Sequence, residues 1–427
     1  MTQDLQGCNV DWQSLGIVSG AALIGVSGLE ALATIVGNRS RTSRLRRRYQ
    51  DQRTRFEKQL AGELKYARAT KPIYRAWAGE RPFRVAAIVD EAVGYKSFYL
   101  VAADGRALPR FEPGQYLTFS LPVDPHRKPI VRCYSLSDRP REDYYRVTIK
   151  RSESPLERAD LPSGQGSSYF HHRAKVGSEL KVQAPQGAFF LDPTDHLPIV
   201  LIAGGVGITP LLSMASSIVH ERSSRSVYFF AGFRNSSEHP FKKQIASLAQ
   251  AENIHSDITY SRPLADDRLG RDYQYQGHIS IVRLRQLLPS SNFRFYLCGP
   301  AGMMEQLVPG LLNWGVPEKH IHFEAFGPAS VKSLHKKGNT LCQPCRVEFT
   351  KSNTELLWKG DFSDLLDLAE DAGLVLDSGC RAGNCGQCLV KVRSGKVAHS
   401  KTPGVPLGDD ECLTCIGQPQ GEVVLDA

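Results

Sequence analysis

Near its C-terminal end the chain reads SGCRAGNCGQC over residues 378–388, with Cys380, Cys385 and Cys388 at the spacing C-x4-C-x2-C. No other stretch restricts the fold as strongly. Three thiolates in one loop are one ligand short of a closed metal site, and ECLTC downstream offers Cys412 and Cys415. The chain has 10 cysteines, and half of them crowd its last fifty residues. Clustered thiols in a long chain point to metal and a reducing compartment rather than to a disulfide framework. Structural zinc prefers paired C-x2-C knuckles, and CQPC at 342–345 and CLTC at 412–415 have that form. The glycines of RAGNCGQC argue against zinc, because small residues let backbone N–H groups surround cluster sulfurs. C-x4-C-x2-C followed by a distant cysteine is the spacing of a [2Fe–2S] site.

At 427 residues the chain exceeds one ordinary domain, and roughly two to four are expected. The net charge of +9 is local: residues 38–75 carry 13 Lys and Arg against 3 Asp and Glu, which leaves the remainder near −1. A nucleic-acid partner is excluded, since it would need basic residues spread over a folded face with aromatic platforms. The basic run instead follows an apolar segment, LGIVSGAALIGVSGLEALATIV at 15–36. As a helix this segment is roughly 33 Å long, enough to cross a bilayer core. No Lys or Arg precedes it and NRSRTSRLRRR follows it, so its C-terminal side is expected in the cytoplasm. A secretory signal peptide has the opposite polarity. Glu30 is costly in lipid, but Gly16, Gly20, Ala21 and Gly25 suit close helix contact with Glu30 turned inward. Leu45, Tyr49, Phe56, Leu60 and Leu64 continue at helical spacing, which predicts a basic amphipathic helix whose charged face is either solvated or in contact with anionic lipid. The expectation is one N-terminal transmembrane span within a helical region, residues 1–80, on the cytoplasmic face of a membrane. The alternative is a soluble cytoplasmic protein in which 15–36 is a buried or interfacial helix.

From residue 81 to 195 the texture changes to short alternating runs (FRVAAIVDE, SFYLVAA, YLTFSL, YRVTIKR, LKVQAP) separated by turn clusters such as EPGQ. This predicts an antiparallel β-barrel. Within it, RCYSL at 132–136 holds three useful groups. Arg132 can clamp a pyrophosphate, Tyr134 offers a face to a flat ring, and Ser135 can hydrogen-bond a ring nitrogen. GQGSSYFH follows at 164–171. Gly164 and Gly166 let backbone approach phosphate oxygens. Ser167 adds a hydroxyl at the start of a short helix, whose N-terminus favours anions. Each motif alone would pass for an ordinary turn; the order RxYS, GxxS, APxGxF makes chance a poor account. The stretch resembles the ferredoxin–NADP reductase-like flavoenzymes, in which RxYS and GxxS hold a flavin on a six-stranded barrel. FMN-binding relatives also carry RxYS, but GQGSSYFH through QGAFFLD is similar to the flavohaemoglobin and oxygenase-reductase branch, which implies FAD.

Residues 196–328 read as a parallel α/β nicotinamide domain. LPIVLIAGGVGITPLLSMASSIV is a buried strand, a glycine turn and an apolar helix. Gly204, Gly205 and Gly207 permit the turn, and Thr209 with Pro210 suits the first helical turn. Such a turn can receive a dinucleotide pyrophosphate, although many α/β units have one. CGPAGMM places Cys298 at the C-terminal end of a strand, where ligands bind in such sheets. Cys298 would otherwise be an ordinary buried hydrophobe; the resemblance makes it the thiol beside the nicotinamide C4, a positioning group and not a nucleophile. In IHFEAFGP the resemblance puts Glu324 and Phe326 near the flavin ring, with Phe326 moving aside for the nicotinamide. Ser261 and Arg262 in TYSRP, with Arg268 and Arg271 close by, can hold a 2′-phosphate, yet SRP is also similar to NADH-using reductases. NADH and NADPH both stay open, with a lean to NADH.

Residues 329–340 read as a linker, and 341–427 as an α+β domain. CRVEFTKSNTELLW predicts a hairpin, and DFSDLLDLAEDAGL an amphipathic helix capped by Asp361. With the cysteine loop, this segment resembles the plant-type [2Fe–2S] ferredoxins and their β-grasp fold. The resemblance makes the cysteine of the L-T-C tripeptide the fourth ligand, so the metal set is Cys380, Cys385, Cys388 and Cys415. Cys412 departs from that pattern, and Cys342 and Cys345 are read as structural. A hydride carries two electrons and such a cluster takes one, and a flavin can exchange both. The domain order therefore implies a multidomain NAD(P)H-dependent flavin/iron–sulfur oxidoreductase. It would act as an electron-transfer reductase passing electrons through FAD and [2Fe–2S] to an external acceptor: an oxygenase, demethylase or desaturase, with a membrane-bound acceptor favoured by the N-terminal segment. The rival readings are a membrane quinone-linked NADH dehydrogenase subunit, disfavoured by the opposite domain order, and a membrane-tethered redox sensor.

Overall fold

The computed structural model describes residues 77–126, 129–153, 163–325, 344–383, 385–400 and 403–427. The expected span at 15–36, the basic helix after it, the linker at 329–340, Phe326 and Cys342 lie outside these residues. Among the described residues no helix is long and apolar enough to cross a membrane.

The first sheet has six antiparallel strands: β1 (Glu80–Ala92), β2 (Tyr95–Ala102), β3 (Tyr116–Leu121), β4 (Ile130–Ser135), β5 (Tyr145–Lys150) and β6 (Glu179–Gln186). Their order is β4-β3-β6-β1-β2-β5, and a bridge between Leu136 and Val147 joins the two edges into a barrel. Alternation drives closure: Phe83, Val85, Phe98, Leu100, Leu117, Phe119, Val147 and Val182 all point inward and are fully buried. Each such side chain contributes about 1.5–3 kcal/mol. Phe170, from the helix Gln165–His172, plugs one end of the barrel, edge-on to Phe98 and Phe119. The EPGQ turn that enters β3 depends on Gly114, at φ +113°; a Cβ there would sit 2.5 Å from the Phe189 carbonyl.

The second sheet is parallel throughout: β7 (Ile199–Gly204), β8 (Val227–Phe233), β9 (Ile254–Tyr260), β10 (Tyr275–Gln276), β11 (Arg294–Gly299) and β12 (Ile321–Ala325). The order β10-β9-β8-β7-β11-β12 changes direction between β7 and β11, and ligands bind such sheets at that crevice. The helix Ile208–His220 is buried along most of its length, including the small hydroxyl residues Thr209, Ser213, Ser216 and Ser217 that recur at helical spacing. Polar contacts join it and its neighbours to the barrel. Ser213 Oγ donates to the Asp138 carbonyl at 2.7 Å, Arg146 to Gln244 Oε1 at 3.2 Å, and the Val93 N–H to the Ser237 carbonyl at 2.9 Å.

The C-terminal fold is a mixed sheet with the β-grasp pattern. Its strands β13 (Cys345–Phe349), β14 (Thr354–Trp358), β15 (Leu389–Ser394), β17 (Glu411–Leu413) and β19 (Val423–Leu425) run in the order β14-β13-β19-β15-β17. A short ribbon pairs β16 (Val397–His399) with β18 (Gly417–Pro419). The β13–β14 hairpin is the one expected from CRVEFTKSNTELLW, turning at Asn353 with φ +47°. Cys345 is buried in the core beside Val347, Phe349 and Trp358. The helix begins later than expected. It spans Leu365–Asp371, and Asp364, not Asp361, is its cap, accepting the Asp367 N–H at 3.0 Å. Ser363 is held by Gln418, whose amide donates to its carbonyl at 3.0 Å, and the buried Leu365, Leu366 and Leu368 set the helical phase from there.

Candidate functional site

A cleft of ≈ 650 Å³ opens where the three sheets converge. Its first wall is β4, which supplies Arg132, Cys133, Tyr134 and Ser135. The Tyr134 ring is anchored edge-on against Phe119 at 5.7 Å and Phe170 at 5.2 Å, so it presents a fixed aromatic surface. Ser135 Oγ is buried and has no hydrogen-bond partner among the described residues, which is the state expected of a hydroxyl whose partner is a bound ligand.

The second wall is the start of the helix Gln165–His172, with Gly164, Gln165, Gly166 and Ser167 on the cleft. A Cβ on Gly166 would lie 2.7 Å from Tyr134 Oη and 2.8 Å from Arg132 Cγ, so glycine keeps both neighbours in place. The Ser167 hydroxyl is tied into the backbone: it accepts the Ser152 N–H at 3.1 Å and donates to the Gly164 carbonyl at 2.9 Å. It fixes the helix start and leaves the free N–H groups of the first turn for an anion. An aromatic shelf, an unsatisfied buried hydroxyl, an arginine and a helix N-terminus in a cleft of this volume fit a flavin nucleotide.

The parallel sheet contributes Val206, Thr209 and Glu324. Gly204, Gly205 and Gly207 shape this side without lining it. Gly207 lies against β11, where a Cβ would fall 2.0 Å from the Cys298 carbonyl oxygen, and Gly205 takes φ +54°. The Thr209 hydroxyl donates to the Val206 carbonyl at 3.0 Å and closes the turn. Cys298 stands in register between Ala203 and Glu324. It is fully buried beneath the turn and does not line the cleft. Burial, with the Glu324 carboxylate as a second cause, pushes its thiol well above the ordinary range, so it stays protonated and is no thiolate nucleophile. Ser261 and Arg262 follow β9, their N–H groups donating to the Phe233 and Arg234 carbonyls. They are away from the cleft, at the sheet's C-terminal edge, and Arg271 nearby is paired with Asp272 at 2.7 Å.

The third wall is the cysteine loop itself, through Gly379, Cys380, Arg381 and Ala382. Backbone N–H groups converge on its sulfurs: Cys380 N–H on Cys385 Sγ at 3.2 Å, Cys385 N–H on Cys380 Sγ at 3.3 Å, Ala382 N–H on Cys380 Sγ at 3.4 Å and Gly383 N–H on Cys415 Sγ at 3.2 Å. Cys388 and Cys415 bring their sulfurs to 3.1 Å. A Cβ on Gly379 would lie 2.7 Å from Cys385 Sγ, and one on Gly383 would lie 2.4 Å from Ile416, so these glycines are needed for the loop to close. Four thiols, three of them receiving N–H donors and the fourth in sulfur contact with Cys415, are a donor set suited to iron and sulfide. Cys412 is on β17 opposite Val390, in the core with Trp358 and Leu365. Burial first, and the neighbouring Cys388 second, push its thiol up to about 12. Arg381, at φ +52°, pairs with Glu370 and fastens the loop to the helix Leu365–Asp371.

Tyr116, Cys133, Thr148, Lys150 and Val206 also line the cleft and carried no sequence signal. They come from strand neighbours and turn positions whose side chains no motif specifies.

Two family descriptions match the sequence: an oxidoreductase NAD-binding domain over residues 201–308 and a 2Fe-2S iron-sulfur cluster binding domain over 353–420. A flavohemoprotein of Halalkalibacterium halodurans is 39% identical over 254 residues, 59% of this chain and 61% of that protein; one of Rhodopirellula baltica is 39% identical over 254 residues, again 59% of this chain and 62% of that protein. The chain thus spans about three fifths of the curated relatives it matches. The flavohem-like FAD/NAD binding domain of a nitric oxide dioxygenase from Vibrio cholerae is 34% identical, with a TM-score of 0.52, over 58% of this chain and 100% of that one. Phthalate dioxygenase reductase shares the fold over 82% of this chain and 98% of that one, at 24% identity and a TM-score of 0.51. With both cofactor domains matched and the whole of a flavohaemoprotein-type reductase module covered at 34% identity, the chain belongs to the ferredoxin–NADP reductase-like flavoprotein oxidoreductases, joined to a C-terminal [2Fe–2S] ferredoxin domain.

Proposed function

We propose that this chain is the electron-transfer reductase of a multicomponent system, taking electrons from NAD(P)H and delivering them to an external acceptor. The observation that carries the reading is the single cleft onto which the RxYS strand, the glycine-led helix, Glu324 and the cysteine loop all open. FAD and a [2Fe–2S] cluster, when bound, supply the passage from a two-electron hydride to single electrons. The protein's part is to bind and align. Arg132 and the N-terminus of the helix Gln165–His172 hold the pyrophosphate, Tyr134 supports the flat ring, and Ser135 completes a hydrogen bond to it. Val206 and Thr209 admit the nicotinamide end from the side of β7. Cys298, buried beneath the turn, backs that end from behind Gly207, and Phe326, near the flavin ring, would move aside for the nicotinamide. Ser261 and Arg262 face the adenosine half, with NADH the favoured donor. Cys380, Cys385, Cys388 and Cys415 hold the cluster.

The acceptor class is an oxygenase, demethylase or desaturase; the likeness in fold to phthalate dioxygenase reductase supports that choice. The apolar segment 15–36 followed by a local charge of +10 supports attachment to the cytoplasmic face of a membrane and an acceptor there. The test is NAD(P)H-dependent reduction of cytochrome c by the full chain. Fast reduction that disappears in Cys385→Ser, with flavin reduction by NAD(P)H retained, is the expected result. Slow turnover at saturating acceptor would defeat the reading and leave a redox sensor in its place.

A further inference from the structure

The cleft contains a thiol that no step above uses. Cys133 occupies the variable position of Arg-x-Tyr-Ser, and its sulfur lies with those of Cys380 and Cys385 in a group whose members are all within 4.8 Å of one another. Strand alternation explains the placement. Arg132 and Tyr134 take one face of β4, so Cys133 takes the other, opposite Thr118 on β3. The Thr118 hydroxyl is 3.5 Å from Cys133 Sγ, and Thr118 is itself buried, so the thiol has a fixed seat. Tyr116, two residues before Thr118, lines the same wall. The barrel strand that carries three of the proposed flavin contacts, Arg132, Tyr134 and Ser135, therefore also touches the cysteine loop.

The chemistry of the three sulfurs differs. As cluster ligands, Cys380 and Cys385 are thiolates, with lone pairs and no proton. Two of the four loop N–H groups already point at Cys380 and one at Cys385. The remaining sulfur in reach belongs to Cys133, which is on a different sheet and outside the set of four ligands; an S–H group is a weak donor. Cys133 is not needed as a ligand, because Cys388 and Cys415 complete the set from within the ferredoxin fold. Hydrogen bonds to ligand sulfurs stabilise the more negative, reduced cluster and raise its potential.

We propose that Cys133 is a positioning residue for electron transfer: its single S–H donates to one sulfur of the Cys380–Cys385 pair, holding the cysteine loop against the flavin strand and raising the cluster potential. The proposal rests on the assignment of Cys380 and Cys385 to the cluster. The full-length protein would be compared with Cys133→Ala and Cys133→Ser by iron and acid-labile sulfide content and by redox titration followed by EPR and visible absorption. With iron and sulfide unchanged in both variants, Cys133→Ala is expected to lower the cluster potential, so that the reduced fraction in balance with the flavin falls by about fivefold, the effect of one modest hydrogen bond. Cys133→Ser, which keeps a donor, is expected to restore most of it. An unchanged potential and EPR spectrum in Cys133→Ala would overturn the proposal, as would loss of iron from that variant, which would make Cys133 a ligand. Failure of the underlying reading is separable, since a wild-type protein without a [2Fe–2S] signal would reveal it before any variant is made.

Discussion

At the scale of single residues, side chains the size of a methyl group decide what this chain can bind. Gly166 is the sharpest case on the barrel side, because an added Cβ would press on both Tyr134 and Arg132. Gly166→Ala is therefore expected to weaken flavin retention by about tenfold, or ~1.4 kcal/mol, with the barrel still folded; fluorescence titration of the apoprotein with FAD measures it. Cys412 and Cys415 make a paired test on the ferredoxin side. Cys415 is in sulfur contact with Cys388, whereas Cys412 faces a core of aromatic and aliphatic groups. Cys415→Ala should abolish the visible cluster spectrum. Cys412→Ala should keep it and cost about 1 kcal/mol of stability from the small cavity left behind. The reverse outcome would transfer the fourth ligand to Cys412.

At the scale of elements, the parallel sheet carries a built-in acid sensitivity. His239 precedes the helix Lys242–Leu248, stacks on Phe233 with ring centroids 4.2 Å apart, and meets the Tyr260 hydroxyl through Nδ1 at 2.8 Å. Burial, helped by the Lys242 charge, holds its pKa down at about 3, whereas an unfolded histidine titrates near about 6.5. Because the folded form refuses a proton that the unfolded form accepts, the stability His239 contributes is complete above the unfolded value. It is lost as pH falls toward the folded value, at up to ~1.4 kcal/mol per pH unit. His239→Gln should flatten the acid limb of the unfolding midpoint between about pH 6.5 and 4; an equally steep limb would show that the ring is not held neutral. The helix of the ferredoxin fold shows the limit of element-level reading. Its amphipathic pattern is plain in DFSDLLDLAEDAGL, but two aspartates compete to cap it. Asp364 is the cap, and the Ser363 carbonyl beside it is held by Gln418, 55 residues further along.

At the scale of the whole molecule, the charge is as unevenly distributed as the cofactor sites. With +10 packed into residues 38–75 and a near-neutral remainder, the full chain is expected to sediment with membranes after lysis without detergent. High salt screens surface charge but does not extract a spanning helix, so release should require detergent. Recovery in the supernatant without detergent would remove the membrane part of the proposal.

Motif order in the sequence sufficed for the three cofactor segments, because each depends on local chemistry. RxYS and the glycines after it sit on one barrel, the glycine turn joins one strand to one helix, and C-x4-C-x2-C closes within a single loop. Spacing along the chain captures such sites, since neighbours in sequence are neighbours in space. The walls of the shared cleft did not follow from spacing. Cys133 and Cys380 are separated by most of two domains, yet their sulfurs lie within 4.8 Å, and Cys298 is hidden behind the turn that should expose it. Only the packing of barrel, parallel sheet and ferredoxin fold put the flavin strand against the cluster loop, because contacts between distant segments depend on how whole faces fit together.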